Sequence, residues 1–267
     1  MLRTRILTAV ILVALLLVVV LWLPPMATFI AFTVIVLAGA WEWSAFLRQP
    51  TPALRTLYVA AVAVLLPVTW QVTQTRGGTA AVLAVAVLWW IGALAWVAFA
   101  PQRVARWSAA LAGLLSLVPA WVALMRLRLD MARGAEWLLF VLILVWVADI
   151  GAFFVGRRFG KIRLAPRVSP GKTWEGLLGG VAVSALVAIA GAGWFGIPLG
   201  LFVPLCLITV AFSVIGDLTE SLLKRFAGMK DSGTLFPGHG GIMDRIDSVT
   251  GAAPVLVFGL ITLGVAR

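Results

Sequence analysis

Long stretches of apolar residues recur along the 267-residue chain. Each has about 18 residues or more, which is enough for a helix to cross a bilayer core of roughly 30 Å. Lipid offers backbone groups no hydrogen-bond partners, so helices are the expected form of these stretches. The pattern predicts an all-α, polytopic integral membrane protein. About nine spans are predicted, at 6–23, 26–47, 57–74, 79–100, 107–125, 137–155, 175–194, 198–216 and 249–266.

The first apolar stretch follows Arg3 and Arg5, as the apolar core of a signal peptide would. It is longer than such a core usually is, and Leu23-Pro24-Pro25 after it offers no small-residue cleavage site. We therefore interpret the stretch as a retained first helix.

The two halves of the chain differ in their polar segments. Residues 1–136 have short loops and few acids, and we interpret them as scaffold helices. Residues 137–267 carry two long polar loops, 156–174 and 217–248, and we interpret this part as the catalytic region of a single membrane domain. Two spans separate the loops, so both loops lie on one side of the membrane.

Basic residues are distributed unevenly between the two predicted membrane faces. The formal net charge is +11, with 21 Lys and Arg against 10 Asp and Glu. If the N-terminus is inside, 16 of the 21 basic residues fall in inner segments and five in outer segments. Cytoplasmic segments carry an excess of Lys and Arg, so both polar loops are predicted to face the cytoplasm and the C-terminus to lie outside.

Loop 156–174 contains six basic residues and no acid. Arg and Lys suit phosphate oxygens, and a helix that begins near Lys172 or Thr173 would offer N–H groups to an anion. Pro166 occupies the position where a P-loop needs its first glycine, so a P-loop is excluded. A basic loop that only sets topology remains the alternative. The candidate phosphate-binding residues here are Arg167, Ser169, Lys172 and Thr173.

Loop 217–248 mixes acids with basic residues. Its acids are Asp217, Glu220, Asp231, Asp244 and Asp247. Mg²⁺ usually binds one or two carboxylates plus substrate phosphates, and interleaved charges favour a metal–polyphosphate complex over a Ca²⁺ site. Asp244 and Asp247 share a face if the chain there is helical. A salt-bridged cytoplasmic loop is the alternative.

Two further acids lie within apolar stretches, where carboxylates are costly and usually functional. Asp149 is about two helical turns from the basic loop, and we take it as a functional candidate. Glu42 is flanked by Trp41 and Trp43 and lies near the membrane interface, and we interpret it as structural.

Segment 221–247, SLLKRFAGMKDSGTLFPGHGGIMDRID, resembles the signature of the phosphatidate cytidylyltransferases, or CDP-diacylglycerol synthases. The matching positions are Ser221, Lys224, Arg225, Lys230, Asp231, Gly233, Phe236, Pro237, His239, Gly240, Gly241, Asp244, Arg245 and Asp247. The earlier segment ADIGAFFVGRRFGKIRLAPRVSPGKTWEG is similar to that family's other polar segment, although Ile150 and Phe153 stand where members often carry Ser and Tyr. The resemblance covers roughly residues 136–266.

The resemblance implies an enzyme that joins CTP to phosphatidic acid and releases CDP-diacylglycerol and pyrophosphate. It implies a homodimer in a bacterial-type inner membrane, with the active site facing the cytoplasm and no nucleic-acid partner. Mg²⁺ is the implied cofactor, with K⁺ as a second ion; Asp217 and Asp244 carry over as its ligands, and Asp149 and Asp247 are further candidates. The other implied site residues are Ser221, Lys224, Arg225, Lys230, Asp231, His239 and Arg245.

Two other functions are weighed against this interpretation. A CTP-dependent polyprenol or phytol kinase would need the same metal and nucleotide but would phosphorylate an alcohol. A transporter could use Asp149 and Glu42 as coupling carboxylates, but it predicts inverted repeats, and the two halves of this chain are unlike. The expected chemistry is one direct displacement at the α-phosphorus of CTP.

Overall fold

The computed structural model describes residues 2–236 and 240–265, with the side chains of 2–7 and 9 left out. Nine α-helices form within these residues: α1 Leu2–Leu17, α2 Pro25–Ser44, α3 Pro52–Thr73, α4 Gly78–Phe99, α5 Arg106–Asp130, α6 Gly134–Phe159, α7 Trp174–Phe195, α8 Leu199–Phe226 and α9 Met243–Thr262. A π-helical turn, Val18–Trp22, continues α1, and a 3₁₀ turn, Ala45–Leu47, continues α2.

Helices α2 to α9 have the length and hydropathy needed to cross a membrane, which makes eight candidate spans among the described residues. The apolar part of the first helix, Val10–Trp22, is shorter than a full span. The protein is therefore a polytopic helical membrane protein, as the apolar pattern predicts.

The two long polar loops are shorter than predicted because helices extend into them. Helix α6 runs to Phe159, and a small antiparallel hairpin follows, with β1 at Arg163–Ala165 and β2 at Ser169–Thr173. Among the described residues, the fold is all-α apart from this hairpin, which the sequence did not predict. Helix α8 reaches Phe226 and α9 begins at Met243, so only residues 227–242 connect them. An apolar stretch indicates only the part of a helix that lipid surrounds. The polar ends of these helices continue beyond it and pack on one another.

Glycines allow two helix pairs to approach closely. In the α6–α7 pair, a Cβ on Gly180 would lie 2.6 Å from the carbonyl oxygen of Ala148. In the α8–α9 pair, a Cβ on Gly216 would overlap the carbonyl oxygen of Asp247, and one on Gly251 would overlap that of Phe212. Small residues of this kind let backbones meet in membrane helix pairs. The α8–α9 crossing brings Asp217, the residue after Gly216, next to α9.

Candidate active site

The hairpin is fixed to the C-terminal part of α8 by one buried residue. Val168, in the turn between the strands, is 2% exposed and packs with Leu218 and Leu222 of α8. This contact positions β2 so that the ammonium group of Lys172 forms an ion pair with the carboxylate of Asp217. Both side chains remain about one quarter exposed, at 26% and 27%, so the pair is accessible from the solvent side.

Thr173 begins helix α7, as the sequence predicts. Its hydroxyl oxygen accepts a hydrogen bond from the backbone N–H of Gly176 at 3.1 Å, which is an N-cap contact. The side chain is buried, so its main role in this structure is to cap the helix. The carboxylate of Glu175 accepts from the N–H of Ile162 at 3.2 Å and ties the start of α7 to the hairpin.

A chain of charged groups joins α6, α8 and α9 at this end of the bundle. We call its acids the carboxylate cluster: Asp149 on α6, Asp217 and Glu220 on α8, and Asp244 and Asp247 on α9. The carboxylates of Asp149, Asp217 and Asp247 lie within electrostatic range of one another and of Lys172. Asp247 also interacts with Glu220.

Lys224 links the other two members of the carboxylate cluster. Its ammonium nitrogen lies 2.7 Å from Glu220 Oε2 and 2.7 Å from Asp244 Oδ1. The three side chains are 12%, 1% and 9% exposed. Lys224 is therefore a buried cation between two carboxylates, unlike Lys172, whose ion pair is open to solvent.

Asp244 organises the connection between α8 and α9. Its Oδ2 atom accepts hydrogen bonds from the N–H of Ser232 at 3.0 Å and the N–H of Gly241 at 2.8 Å. It also lies 3.0 Å from the hydroxyl oxygen of Ser232, whose single proton it shares with Glu42. With Lys224 on Oδ1, both oxygens of this carboxylate are engaged within the protein.

Glu42 connects the N-terminal half to the same segment. Its Oε2 atom accepts from the hydroxyl of Ser232 at 2.8 Å and from the backbone N–H of Met243, the first residue of α9, at 2.9 Å. A Cβ on Gly233 or on Gly241 would overlap the Glu42 carboxylate. Glu42 is 7% exposed and holds this segment, which agrees with its structural interpretation.

The carboxylate cluster has the donor chemistry that a hard divalent cation needs. Among the described residues, ion pairs with lysine reach three of its five acids: Lys172 pairs with Asp217, and Lys224 pairs with Glu220 and Asp244. In the same part of the chain, Glu220 Oε1 is buried without a hydrogen-bond partner. Oxygen ligands of this kind suit Mg²⁺. Within the described part of the chain, no three acids already converge as a ligand set. The donors thus fit the metal, while Lys172 and Lys224 balance part of the charge in this structure.

The remaining predicted site residues lie at varied distances from this cluster. The hydroxyl of Ser221 donates to Asp217 Oδ1 at 3.3 Å, and Ser169 lies on the docked hairpin. Arg225 is exposed and lines a separate cavity. Four others are exposed: Arg167 in the hairpin turn, Lys230 and Asp231 between α8 and α9, and Arg245 on α9. His239, with its neighbours Pro237 and Gly238, lies outside the described residues.

Two site residues were not among the predicted ones. Glu220 was only one of several acids in a polar stretch, and the i, i+4 spacing of Glu220 and Lys224 could have identified the pair once that stretch was assigned to a helix. Ser232 carries no such signal, because its partners Glu42 and Asp244 are 190 and 12 residues away in sequence.

These features place a cluster of charged side chains at one end of a membrane-embedded helix bundle. The chain belongs to the cytidylyltransferase family, whose model matches residues 3–263, and it is therefore a nucleotidyltransferase.

Two curated relatives cover most of the chain. A protein of Pseudomonas aeruginosa is 42% identical over 243 residues, which is 83% of each chain. One of Haemophilus influenzae is 39% identical over 280 residues, which covers 95% of this chain and 96% of the relative. A third, from Brucella suis, is 46% identical over 149 residues, or 52% of this chain and 53% of its own. All three are called phosphatidate cytidylyltransferase.

Proposed function

We propose that this enzyme transfers the cytidylyl group of CTP to phosphatidic acid, forming CDP-diacylglycerol and pyrophosphate. The observation that carries the proposal is the carboxylate cluster with its solvent-open Lys172–Asp217 pair, at the end of a lipid-embedded bundle. One substrate is a lipid and the other a highly charged nucleotide, so the site must meet both membrane and water. The names of the similar proteins support the same reaction.

The two lysines have different roles in this proposal. Lys172 can exchange Asp217 for a phosphate oxygen, because its ion pair is partly exposed and its hairpin is held firmly by Val168. Lys224 stays buried between two acids and positions them. Charge-assisted bonds from Lys172 would reduce the repulsion between the phosphatidate and triphosphate groups.

Mg²⁺ is the proposed metal, with K⁺ as a second ion. Asp217 would hold Mg²⁺, with Asp149 and Asp247 as neighbouring carboxylates. Asp244, the other ligand that the family resemblance implies, can join only if Lys224 leaves its Oδ1 atom. When bound, Mg²⁺ supplies charge neutralisation for the phosphate groups and alignment of the leaving pyrophosphate.

The proposed chemistry is a single displacement, in which a phosphatidate oxygen forms a bond to the α-phosphorus as the bond to pyrophosphate breaks. Phosphatidate is already an anionic nucleophile at neutral pH, so no base is needed. Cys206 is fully buried in α8, and the hydroxyl of Tyr58 is engaged with the carbonyl oxygen of Ala110 at 3.0 Å. Neither suits a covalent intermediate. CTP made chiral at the α-phosphorus should give an inverted product; retention would indicate a cytidylyl-enzyme, with His239 the first residue to test.

The orientation follows from charge. The hairpin and the α8–α9 connection face the cytoplasm of a bacterial inner membrane, and the C-terminus lies on the other side. A cytoplasmic N-terminus requires α1 with its π-helical turn to cross as a ninth span, although its apolar part is shorter than the eight other spans. Variants with one introduced cysteine, made after Cys206→Ser, test this, because the exposed Lys161 and Arg76 lie on opposite predicted faces. In right-side-out vesicles an impermeant maleimide should label Arg76→Cys but not Lys161→Cys. The reverse pattern would contradict the orientation. The homodimer remains a prediction of the family resemblance.

The reaction itself is tested with purified protein in detergent. Pyrophosphate release from CTP should require both phosphatidic acid and Mg²⁺, and Asp217→Asn should abolish it. Asp130→Asn is the matched control, because Asp130 pairs with Arg126 at the opposite end of the bundle. Release of CDP with phosphorylation of a lipid alcohol would favour the kinase instead. Full activity of Asp217→Asn at limiting Mg²⁺ would remove Asp217 from the metal site.

A further inference from the structure

A second charged site lies at the same end of the bundle, outside the carboxylate cluster. It is a cavity of about 620 Å³ between the turn after α2, the start of α5 and the end of α8. We call it the arginine cavity, because Arg48, Arg106 and Arg225 line it. None of the residues that line it belongs to the carboxylate cluster.

Within the described residues, no acid neutralises the three arginines. No acid is among the described residues that line the cavity, and none of the five ion pairs in the described part of the chain involves these arginines. Arg48 lies over the ring of Phe226 at 5.1 Å, and Arg106 donates one hydrogen bond to the carbonyl oxygen of Arg48 at 2.9 Å. Each guanidinium has five N–H donors, so most donors remain available.

The position of the cavity indicates the occupant. Helices α2, α5 and α8 all begin or end here, at the predicted cytoplasmic interface. The neighbouring Trp107 is 72% exposed, and exposed tryptophans at helix ends are typical of the level of the lipid headgroups. The cytoplasmic leaflet carries anionic lipids, and arginine forks match phosphate geometry.

We propose that the arginine cavity binds the phosphate of an anionic phospholipid headgroup, as a site separate from the one that performs cytidylyl transfer. A topology signal alone would need basic residues in each cytoplasmic loop but would not need three of them to converge on one cavity. Residues from three separated parts of the chain do converge here, with a left-handed backbone at Arg48 (φ 54°) and Gln49 (φ 55°). This site goes beyond the proposed reaction, since its ligand need not be a substrate.

Lipid retention by the full-length protein tests the proposal. The probe is phosphatidylglycerol, an anionic lipid that is not the proposed substrate, added to detergent-purified protein and counted by native mass spectrometry. Arg48→Gln should lower the affinity about ten- to a hundredfold, the effect of losing one charge-assisted bond. Arg106→Gln should do the same and provides an independent second variant. Arg103→Gln is the matched control, because Arg103 is exposed on the same turn between α4 and α5 but does not line the cavity.

Three results would overturn the proposal. The first is equal retention of phosphatidylglycerol by the wild type, Arg48→Gln and Arg106→Gln. The second is equal loss in Arg103→Gln, which would reduce the effect to general surface charge. The third is unchanged lipid retention with a raised KM for CTP, which would assign the cavity to the nucleotide. Inorganic phosphate and CTP are tested as competitors of phosphatidylglycerol binding. Displacement of the lipid by either one would indicate a free phosphate or nucleotide ligand, and lipid binding that neither one displaces would indicate a lipid headgroup. Thermal unfolding in neutral detergent checks that each variant is folded.

Discussion

Replacing Lys224 with methionine should destabilise the protein strongly, whereas the same change at Lys172 should not. Methionine keeps the length and removes the charge. At Lys224 this leaves the carboxylates of Glu220 and Asp244, which are 1% and 9% exposed, without their shared cation. At Lys172 the partner Asp217 is 27% exposed and water can replace the lost charge.

The expected losses of unfolding free energy in the two variants differ enough to measure. Removing one partner of a buried ion pair costs about 3–5 kcal/mol, because an uncompensated charge stays buried. An exposed pair contributes about 0–1 kcal/mol. For a protein of this size, the larger loss corresponds to a drop of on the order of 10 °C in the unfolding midpoint, and the smaller one to a few degrees at most.

The assay is thermal unfolding of detergent-purified protein, with activity measured in parallel. Lys224→Met should unfold at a lower temperature, and adding Glu220→Gln should recover part of the loss, because one buried charge is then removed. Lys172→Met should keep its stability but lose activity and show a raised KM for CTP.

A Lys224→Met variant as stable as the wild type would refute the reasoning, since it would mean that water reaches Glu220 and Asp244. An additive double variant, with no recovery from Glu220→Gln, would show that Lys224 and Glu220 do not interact energetically.

Two further predictions concern how the site is assembled. Gly216→Ala should abolish turnover, because the new methyl group would overlap the backbone of Asp247. Gly200→Ala is the control and should behave as wild type, because a Cβ there meets no atom within 4 Å. Activity in Gly216→Ala would contradict the close α8–α9 approach. Glu42→Ala should lower stability by about 2–4 kcal/mol, because two hydrogen bonds of 2.8 and 2.9 Å to a charged group are lost. Glu136→Ala is the control: the Glu136 side chain is 36% exposed, against 7% for Glu42 as a whole residue, and its loss should cost much less stability in the same unfolding assay.

The apolar pattern predicts where helices cross the membrane but not where they end. The predicted eighth span stops at 216, yet α8 continues to Phe226 through Asp217, Glu220 and Lys224. These polar residues remain helical because partners on the hairpin and on α9 satisfy them. Apart from the Glu220–Lys224 pair, those partners are distant in sequence, so no local pattern could show them. The shared face of Asp244 and Asp247 was predictable, because it needs only the helical period, and α9 does include both.

The sequence also could not show that Lys172 and Lys224 differ in burial. Lys172 and Lys224 both lie in basic segments that resemble the family motifs, and both suit phosphate oxygens. Their difference is one of burial, which depends on the hairpin lying over α8 and on α9 closing over Glu220. Tertiary packing decides it, through Val168 and the glycine contact at Gly216.

The fit of Glu42 against Gly233 and Gly241 has a consequence for how the family diverges. A larger residue at either glycine would displace the Glu42 carboxylate from its hydrogen bonds, and a shorter residue at 42 releases the first N–H of α9. Substitutions at these three positions are therefore expected to be correlated among descendants, although 42 lies about 190 residues from the other two. A chimera joining the first half of one relative to the second half of another would inherit a working site only when both parents carry a compatible set at 42, 233 and 241.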